Sequence, residues 1–422
     1  MPKTKKYILN VKWEQRLYFY SLLFFAVLLP FQPIKLPLTL GLMLYSAVWL
    51  ITLQFGTKLK LLAKNKMASL CFAYFLWIVI GAIYSPEKGE AIKDMVLKVP
   101  FAVWPILIGS VALFGTKNRE QLVKAFIVAL AVGTLFNFIL AFVNYASTGD
   151  SQYFYFSKLI VSKLIPPHYF GMYLNMTYGI LLLGLLQKNY LFKKQYWQIV
   201  LLAICVIGVI FAAVRMQYIV FIAITLFVFF RGYHHKSIGK KMLAMLGLVA
   251  AMLGLSMAFP GSRARLNDTV NEFNSRNEMV NSKQTNHRKF IWTEGLEVIK
   301  QNWLFGTGTA AADPVLNARL YTIEATFWNG ESTYKLRDKK YNYHNAYLQH
   351  WAAHGLIGFI LLVAIFVAGW RNTPDLVPKI FLLVCALSFI TESMLERQAG
   401  VLFFSFFYTL FFILKPKKEV TI

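Results

Sequence analysis

The residues best suited to chemistry lie in the segment His344-Asn345-Ala346-Tyr347-Leu348-Gln349, which leads on to Gly355-Leu356-Ile357-Gly358. This segment begins where a long polar stretch, residues 260–343, gives way to an apolar one. Because histidine titrates near neutral pH, His344 is suited to taking a proton from an attacking hydroxyl. At the first turn of a membrane helix it would act at the boundary where lipid-linked head groups lie. His344 is therefore a candidate general base, and the alternative is a structural histidine that only forms hydrogen bonds.

Four arginines are candidates for holding an anionic group. Arg215 lies between two apolar stretches, where a charge usually faces a cavity or an ionic partner. Arg288 opens a predicted helix, and Arg263 and Arg265 follow a Pro-Gly pair at the predicted membrane edge. Their guanidinium groups suit a diphosphate. The alternatives are an Arg215 side chain that reaches the lipid head groups and an Arg288 that is only solvated.

Other titratable residues predict no metal or nucleotide chemistry. His350 and His354 have a spacing that can bind a metal, but no third ligand is evident nearby. The chain has no glycine-rich phosphate loop and no paired carboxylates of a glycosidase. Glu392 and Glu396 bracket a predicted outer turn with Arg397, and we expect them to pair with it. The sequence predicts no cofactor and no metal.

The composition predicts an all-α membrane protein. Of the 422 residues 57% are apolar and only 15% are charged, against about 25% charged residues in soluble proteins. We predict twelve membrane segments: Leu17–Phe31, Leu36–Phe55, Met67–Tyr84, Val96–Gly115, Leu122–Asn144, His168–Leu186, Tyr196–Val214, Met216–Phe230, Met242–Phe259, Ala346–Trp370, Val377–Met394 and Val401–Leu414.

The distribution of positive charge predicts the topology. With the N-terminus in the cytoplasm, the cytoplasmic segments hold 24 of the 44 lysines and arginines, and the short outer loops hold 7. This is the positive-inside pattern, so we expect both termini in the cytoplasm. The net charge of +25 is mostly explained in this way, and a nucleic-acid partner is not expected.

The chain divides into three predicted regions. Residues 1–259 carry the first nine membrane segments, residues 260–343 form one large loop outside the cytoplasm, and residues 344–422 carry the last three segments. Within the loop, Thr285 to Gln301 has helical periodicity. We expect Asp313 to Lys340 to be irregular and to lie over a cavity as a lid.

These motifs together resemble the O-antigen ligase / O-antigen polymerase superfamily of bacterial inner-membrane glycosyltransferases. Besides the segment at His344, the resemblance is carried by Arg288, Trp292, Gly295 and Ile299, by Asn302-Trp303-Leu304-Phe305-Gly306-Thr307-Gly308, by Pro167-His168-Tyr169-Phe170-Gly171 and by Arg215. It implies a helical fold like that of type-C glycosyltransferases, with a large periplasmic loop. It also implies metal-independent, inverting transfer of a glycan from an undecaprenyl diphosphate carrier.

The resemblance implies roles for individual residues. His344 would be the base, and Arg215 and Arg288 would hold the diphosphate, with Arg265 as a further candidate. Arg263, Asn345, Tyr347 and Gln349 are the remaining expected substrate-binding residues. In the ligases the acceptor is a sugar hydroxyl of the lipid A–core, and membrane lipid is the other expected partner.

Two positions depart from the family pattern. Ala353 stands where relatives often have a glutamate, and Val214 stands where they often have a serine. If that glutamate orients the histidine, Asn345 or an acid of the loop must do so here. We favour a ligase. A polymerase that joins repeat units on the same carrier, a protein oligosaccharyltransferase and a lipid-linked glycan transporter remain as alternatives.

Overall fold

The computed structural model describes residues 11–31, 35–111, 116–155, 158, 165–232, 238–264, 266–267, 287–323, 326–328 and 333–414. The helices before the loop region are α1 (Val11–Leu28), α2 (Lys35–Ile51), α3 (Phe55–Ala63), α4 (Lys66–Tyr84), α5 (Lys88–Lys98), α6 (Pro100–Gly109), α7 (Thr116–Thr148), α8 (Pro167–Leu186), α9 (Gln195–Ala212), α10 (Arg215–Gly232) and α11 (Ile238–Ala258). The later elements are α12 (His287–Gln301), α13 (Ala312–Tyr321), β1 (Thr326–Trp328), β2 (Thr333–Lys335), α14 (Ala346–Arg371), α15 (Leu376–Ser388) and α16 (Gln398–Tyr408).

Six described helices are long and apolar enough to cross a membrane, namely α4, α7, α8, α9, α10 and α14. A seventh span results if residues Leu40–Ile51 and Phe55–Ala63, which meet at a bend of 113°, are counted as one. The chain thus has the helices of a multi-pass membrane protein. The predicted number of twelve is not confirmed. The expected segment Val96–Gly115, for example, is divided between α5 and the ten-residue α6, which begins at Pro100.

The loop region is more ordered than its composition predicts. The helix expected from Thr285 to Gln301 is present as α12, from His287. The expectation that Asp313 to Lys340 is irregular is wrong, because this stretch contains α13 and an antiparallel pair, β1 with β2. A helix across Asp313-Pro314 was hard to read from the sequence, but proline is compatible with the first helical turn, where no amide donor is required.

The core of the membrane region is built around α8 and α16. Every residue of α16 except Gln398 is buried, and its Phe403 ring stacks on Tyr173 of α8 with centroids 4.2 Å apart. Polar side chains buried between α8, α10 and α15 bond one another. Asn175 Nδ2 donates to Gln217 Oε1 (2.9 Å), and Gln217 Nε2 donates to Ser388 Oγ (3.1 Å). Such bonds fix how membrane helices pack where lipid offers no alternative partner.

Helix α14 is broken at Gly355, whose backbone has φ 64° and ψ −169°. A break frees backbone groups that must be satisfied inside a membrane protein. The loop after α12 satisfies them: Thr307 N donates to Ala352 O (2.8 Å), and Leu356 N donates to Trp303 O (2.8 Å). Two motifs that are about 50 residues apart in the chain are therefore joined by backbone hydrogen bonds.

The same loop is clamped against α4. Thr309 Oγ1 donates to the carbonyl oxygen of Ile78 (2.7 Å), and Thr309 N donates to Gly81 O (3.2 Å). Trp77 Nε1 donates to the carbonyl oxygen of His354 (2.8 Å), beside the break. The loop is thus held between α4 and α14.

Replacing Gly355 by alanine should destabilise the fold, because a Cβ there would lie 2.1 Å from the Leu304 carbonyl oxygen at a positive φ. We expect a loss of about 3 kcal/mol or more, since strained backbone alone costs about 1–3 kcal/mol. Thermal unfolding of the purified chain in detergent measures this. Gly254→Ala is the control, because nothing lies within 4 Å of a Cβ at that position. Equal melting temperatures for the two variants would contradict the role of the break.

Candidate functional site

His344 occupies a tight turn just before α14. Its φ of 45° is in the left-handed region, which is uncommon for a residue with a side chain. Two contacts hold the turn: His344 N donates to Asn342 Oδ1 (3.0 Å), and Trp292 Nε1 of α12 donates to the carbonyl oxygen of Tyr343 (2.8 Å). A Cβ at Gly295 would lie 2.7 Å from the Tyr343 ring, so glycine lets α12 approach the turn.

Asn345 caps α14. Its Oδ1 accepts hydrogen bonds from the amides of Tyr347 (2.9 Å) and Leu348 (3.0 Å), which a helix start otherwise leaves without partners. Asn345 N donates to Ser393 Oγ (3.3 Å), so the cap is also tied to the loop between α15 and α16. The Tyr347 hydroxyl donates to the carbonyl oxygen of Ala386 (3.0 Å).

Glu392 is the carboxylate that faces His344. His344 Nδ1 lies 3.4 Å from Glu392 Oε2, and His168 Nε2 lies 3.7 Å from the same oxygen. Burial opposes ionisation of Glu392. The hydrogen bond from His344, the neighbouring His168 and the positive charge of Arg288 outweigh that effect, and they hold the pKa of Glu392 below its usual value.

The expected pairing of the outer-turn acids with Arg397 is not found. Glu392 contacts the two histidines, and Glu396 Oε1 accepts from Lys98 Nζ (3.0 Å). Glu392 was therefore not predicted from the sequence as a site residue. The sequence did contain a signal for Glu392. Few carboxylates lie outside the long loop, and a carboxylate was needed in place of the glutamate that is absent at Ala353.

The contact with Glu392 defines the tautomer of a neutral His344. With the proton on Nδ1, directed at the carboxylate, the lone pair is on Nε2. No described residue hydrogen-bonds Nε2, and the side chain is 35% exposed. The imidazole is thus oriented by one nitrogen and accessible at the other, which is the arrangement required of a general base.

Arg288 joins this cluster from α12. Its Nη2 donates to the carbonyl oxygen of Thr391 (3.1 Å), next to Glu392. The structure therefore brings together His344, Arg288, His168 and Glu392. Of these, His168 was recognised in the sequence only as part of a helix start.

Arg215 and Arg263 lie at the same end of the helix bundle. Arg215 is the partly exposed first residue of α10. Gln217, two residues further along the same helix, donates a hydrogen bond to Ser388 at the end of α15. Arg263 is exposed, and the adjacent Ser262 Oγ donates to Ile210 O near the end of α9. Arg265 lies outside the described residues.

Gln349 connects the His344 turn to an acid of α13. Its Oε1 accepts from Tyr343 N (3.1 Å) and Ser393 Oγ (3.3 Å), while its Nε2 donates to Asp313 Oδ1 (2.8 Å). Both polar atoms of the Gln349 side chain, the Oδ1 of Asn345 and the hydroxyl of Tyr347 thus form hydrogen bonds within the protein. These contacts favour positioning of His344 over direct substrate binding.

Asp313 is an acid with an unusual environment. Burial, and then the negative charge of Glu396, raise the pKa of Asp313 to about 7, although the hydrogen bond from Gln349 and the charge of Lys98 act in the opposite direction. The group lines a cavity of about 450 Å³ together with Asp94, Lys98 and Glu396. Among the described residues, no group of three or more His, Cys, Asp or Glu side chains could hold a metal ion.

Comparison with known proteins supports the resemblance. Residues 200–363 match the family model described as O-antigen ligase. The matched region contains Arg215, Arg288 and His344, and the match confirms the resemblance to the O-antigen ligase and polymerase superfamily. That family is glycosyltransferase-like, and its members have ligase- or polymerase-type activity. No curated protein gives a significant match to the chain.

Folding stability should depend on the ionisation of Asp313. The unfolded carboxyl loses its proton near pH 4, whereas the folded one does so near pH 7. Between these values the folded state holds a proton that the unfolded state has lost, so stability falls as the pH rises and levels off above about 7. Asp313→Asn keeps an acceptor for Gln349 and removes this fall.

The measurement is the melting temperature in detergent from about pH 5 to about pH 8. The difference between Asp313→Asn and the wild type should grow with pH in favour of the variant. Glu297→Gln, which changes an exposed carboxylate on α12, should follow the wild type. Parallel curves for all three proteins would show that Asp313 ionises normally.

Proposed function

We propose that this protein transfers a glycan from an undecaprenyl diphosphate carrier to a sugar hydroxyl of lipid A–core, with His344 as the general base. The observation that carries the proposal is the orientation of His344. Glu392 faces its Nδ1, and no described residue hydrogen-bonds its Nε2. The family match supports the reaction class, because it covers the helices and the loop that supply this residue.

In the proposed reaction the acceptor hydroxyl attacks the anomeric carbon of the carrier-linked sugar. A new carbon–oxygen bond forms as the bond to the diphosphate breaks, and the diphosphate leaves with the electron pair. His344 Nε2 takes the hydroxyl proton in the same step. A positioned base contributes about 10²–10⁴-fold to such a rate. The result is inversion at the anomeric carbon.

Glu392 supports the base without touching the substrate. When His344 takes the proton it becomes a cation, and the carboxylate at its Nδ1 stabilises that charge. The depressed pKa of Glu392 keeps it ionised at neutral pH. We therefore assign to Glu392 the role of orienting His344, which relatives would fill with the glutamate that is replaced here by Ala353.

Arg288 and Arg215 act on the leaving group in this proposal. Negative charge accumulates on the diphosphate as its bond to the sugar breaks, and fixed guanidinium groups stabilise it. Arg288 contacts Thr391, next to Glu392, and Arg215 begins a helix at the same end of the bundle. Arg263 and Arg265 follow α11 and are further candidates for the same anion. By the distribution of positive charge, this end lies on the periplasmic side of the bacterial inner membrane.

His344→Ala should reduce turnover by about 10²–10⁴-fold, because the acceptor loses its base. Binding of the carrier-linked glycan should be retained, since the arginines remain. Turnover and donor binding can both be measured with purified protein in lipid vesicles, to which carrier-linked glycan and acceptor are added. Lys340→Ala, an exposed cation four residues away, is the control. Loss of donor binding along with turnover would contradict the role of base, and unimpaired flux of glycan without transfer would indicate a transporter.

Glu392→Gln should reduce turnover less than His344→Ala, because it removes only the support of the imidazolium. The double variant should be no slower than His344→Ala alone, since both residues act through one proton transfer. The pH dependence of turnover should also shift in Glu392→Gln and not in Glu297→Gln. Additive losses in the double variant would show that Glu392 acts independently of the base.

The acceptor is identified in a strain that lacks the gene. A gel profile of its lipopolysaccharide and carrier-linked glycan should show polymer retained on the carrier and bare lipid A–core. Complementation with the wild type, but not with His344→Ala, should restore the polymer to lipid A–core. Lipid A–core capped by a single repeat unit would instead identify a polymerase, and an unchanged profile would refute both.

A further inference from the structure

A second cavity lies at the opposite end of the helices that carry the candidate site. It has a volume of about 630 Å³ and is lined at the end of α8, the start of α7, the end of α10 and the start of α15. We call it the arginine cavity, after Arg119 and Arg231, which both line it. Helix α8 has 20 residues, so about 30 Å separates the two ends.

Two arginines, Arg119 and Arg231, and two acids, Glu120 and Asp375, line the arginine cavity. Arg231 is exposed and has no ion pair with any described residue. Arg119 has one distant partner, with its Nη2 3.7 Å from Asp375 Oδ2. Glu120 is already neutralised by Lys124 (2.6 Å). With Lys124 counted, this group has one positive charge in excess, and Arg231 is the guanidinium group that has no carboxylate partner among the described residues.

The rest of the lining contains both polar and apolar side chains. Gln187, Asn189 and Tyr190 supply hydrogen-bonding groups. The apolar lining residues are Val123, Ile180, Leu183, Leu376, Val377 and Phe411. A ligand that fills this cavity has an anionic, hydrogen-bonding head and an apolar tail.

The arginine cavity lies at the level of a membrane surface. Three of its elements, α7, α8 and α10, are candidate membrane spans, and the cavity lies where all three begin or end. The distribution of positive charge assigns this end to the cytoplasm. The cytoplasmic leaflet carries the anionic lipids, and basic pockets between membrane helices on that side bind their head groups.

We propose that the arginine cavity binds an anionic glycerophospholipid, with the phosphate at Arg119 and Arg231 and an acyl chain along the apolar lining. This lipid is distinct from the carrier and the acceptor, which would be bound in the other leaflet at His344. The site holds a lipid of the surrounding membrane and takes no part in the transfer chemistry.

The test uses the full-length chain, freed of lipid and kept in detergent. Retention of phosphatidylglycerol is compared with that of phosphatidylcholine with the same acyl chains, by native mass spectrometry. The wild type should retain phosphatidylglycerol preferentially, with roughly a fivefold contribution from each arginine. Equal retention of the two lipids would refute the proposal.

Two double variants with the same change in charge separate the site from the general basic surface. Arg119→Gln/Arg231→Gln should lose the preference for phosphatidylglycerol. Arg16→Gln/Lys240→Gln changes exposed cations elsewhere on the predicted cytoplasmic face and should keep it. Loss of the preference in both, or in neither, would overturn the assignment to this cavity.

Two further measurements cover the remaining outcomes. If Arg119→Gln/Arg231→Gln does not fold, as judged by thermal unfolding, Arg231→Glu replaces it, because that side chain is exposed at the end of α10. It should lose the preference as well, and a retained preference would refute the site. Inorganic phosphate at millimolar concentration should leave phosphatidylglycerol bound. Displacement by phosphate alone would mean that the cavity takes a free anion, which overturns the lipid assignment.

Discussion

The architecture of the candidate site depends on the break of α14 at Gly355. Within a membrane protein, carbonyl and amide groups released by such a break must find partners in the protein. The Trp303–Thr309 loop supplies them, and it is fixed in turn to α4 by Thr309. Because this loop continues directly from α12, its position also fixes where α12 approaches the start of α14. Trp292 and Arg288 reach the His344 turn for this reason.

The charge cluster around Glu392 is the second consequence of that arrangement. A buried carboxylate is costly unless positive or hydrogen-bonding groups surround it. Here His344, His168 and Arg288 come from three different helices or their ends, and each contributes favourably to the ionised form. The same contacts orient the imidazole of His344. The contact between His344 and Glu392 therefore both stabilises the ionised carboxylate and orients the base.

The helices also separate the two proposed binding sites. Helices α8 and α10 begin at Pro167 and Arg215, beside the candidate site, and they end beside the arginine cavity. A lipid bound at one end and a lipid-linked substrate bound at the other would both contact α8 and α10. The polar bonds of Asn175, Gln217 and Ser388 lie between these helices near the candidate site.

Periodicity and composition determined the helical class, the membrane spans from α7 to α10, and the helix that carries Arg288, because those signals are local. The residue types of His344, Arg288 and Arg215 and the family resemblance were also readable from the chain. The helix α13, the division between α5 and α6 and the role of Glu392 were not. Glu392 is 48 residues from His344, and nothing in its neighbours indicates which charge it will meet. Only the packing of α8, α12 and α14 around the turn after α15 decides that pairing, since a carboxylate pairs with the nearest cation in space and not in sequence.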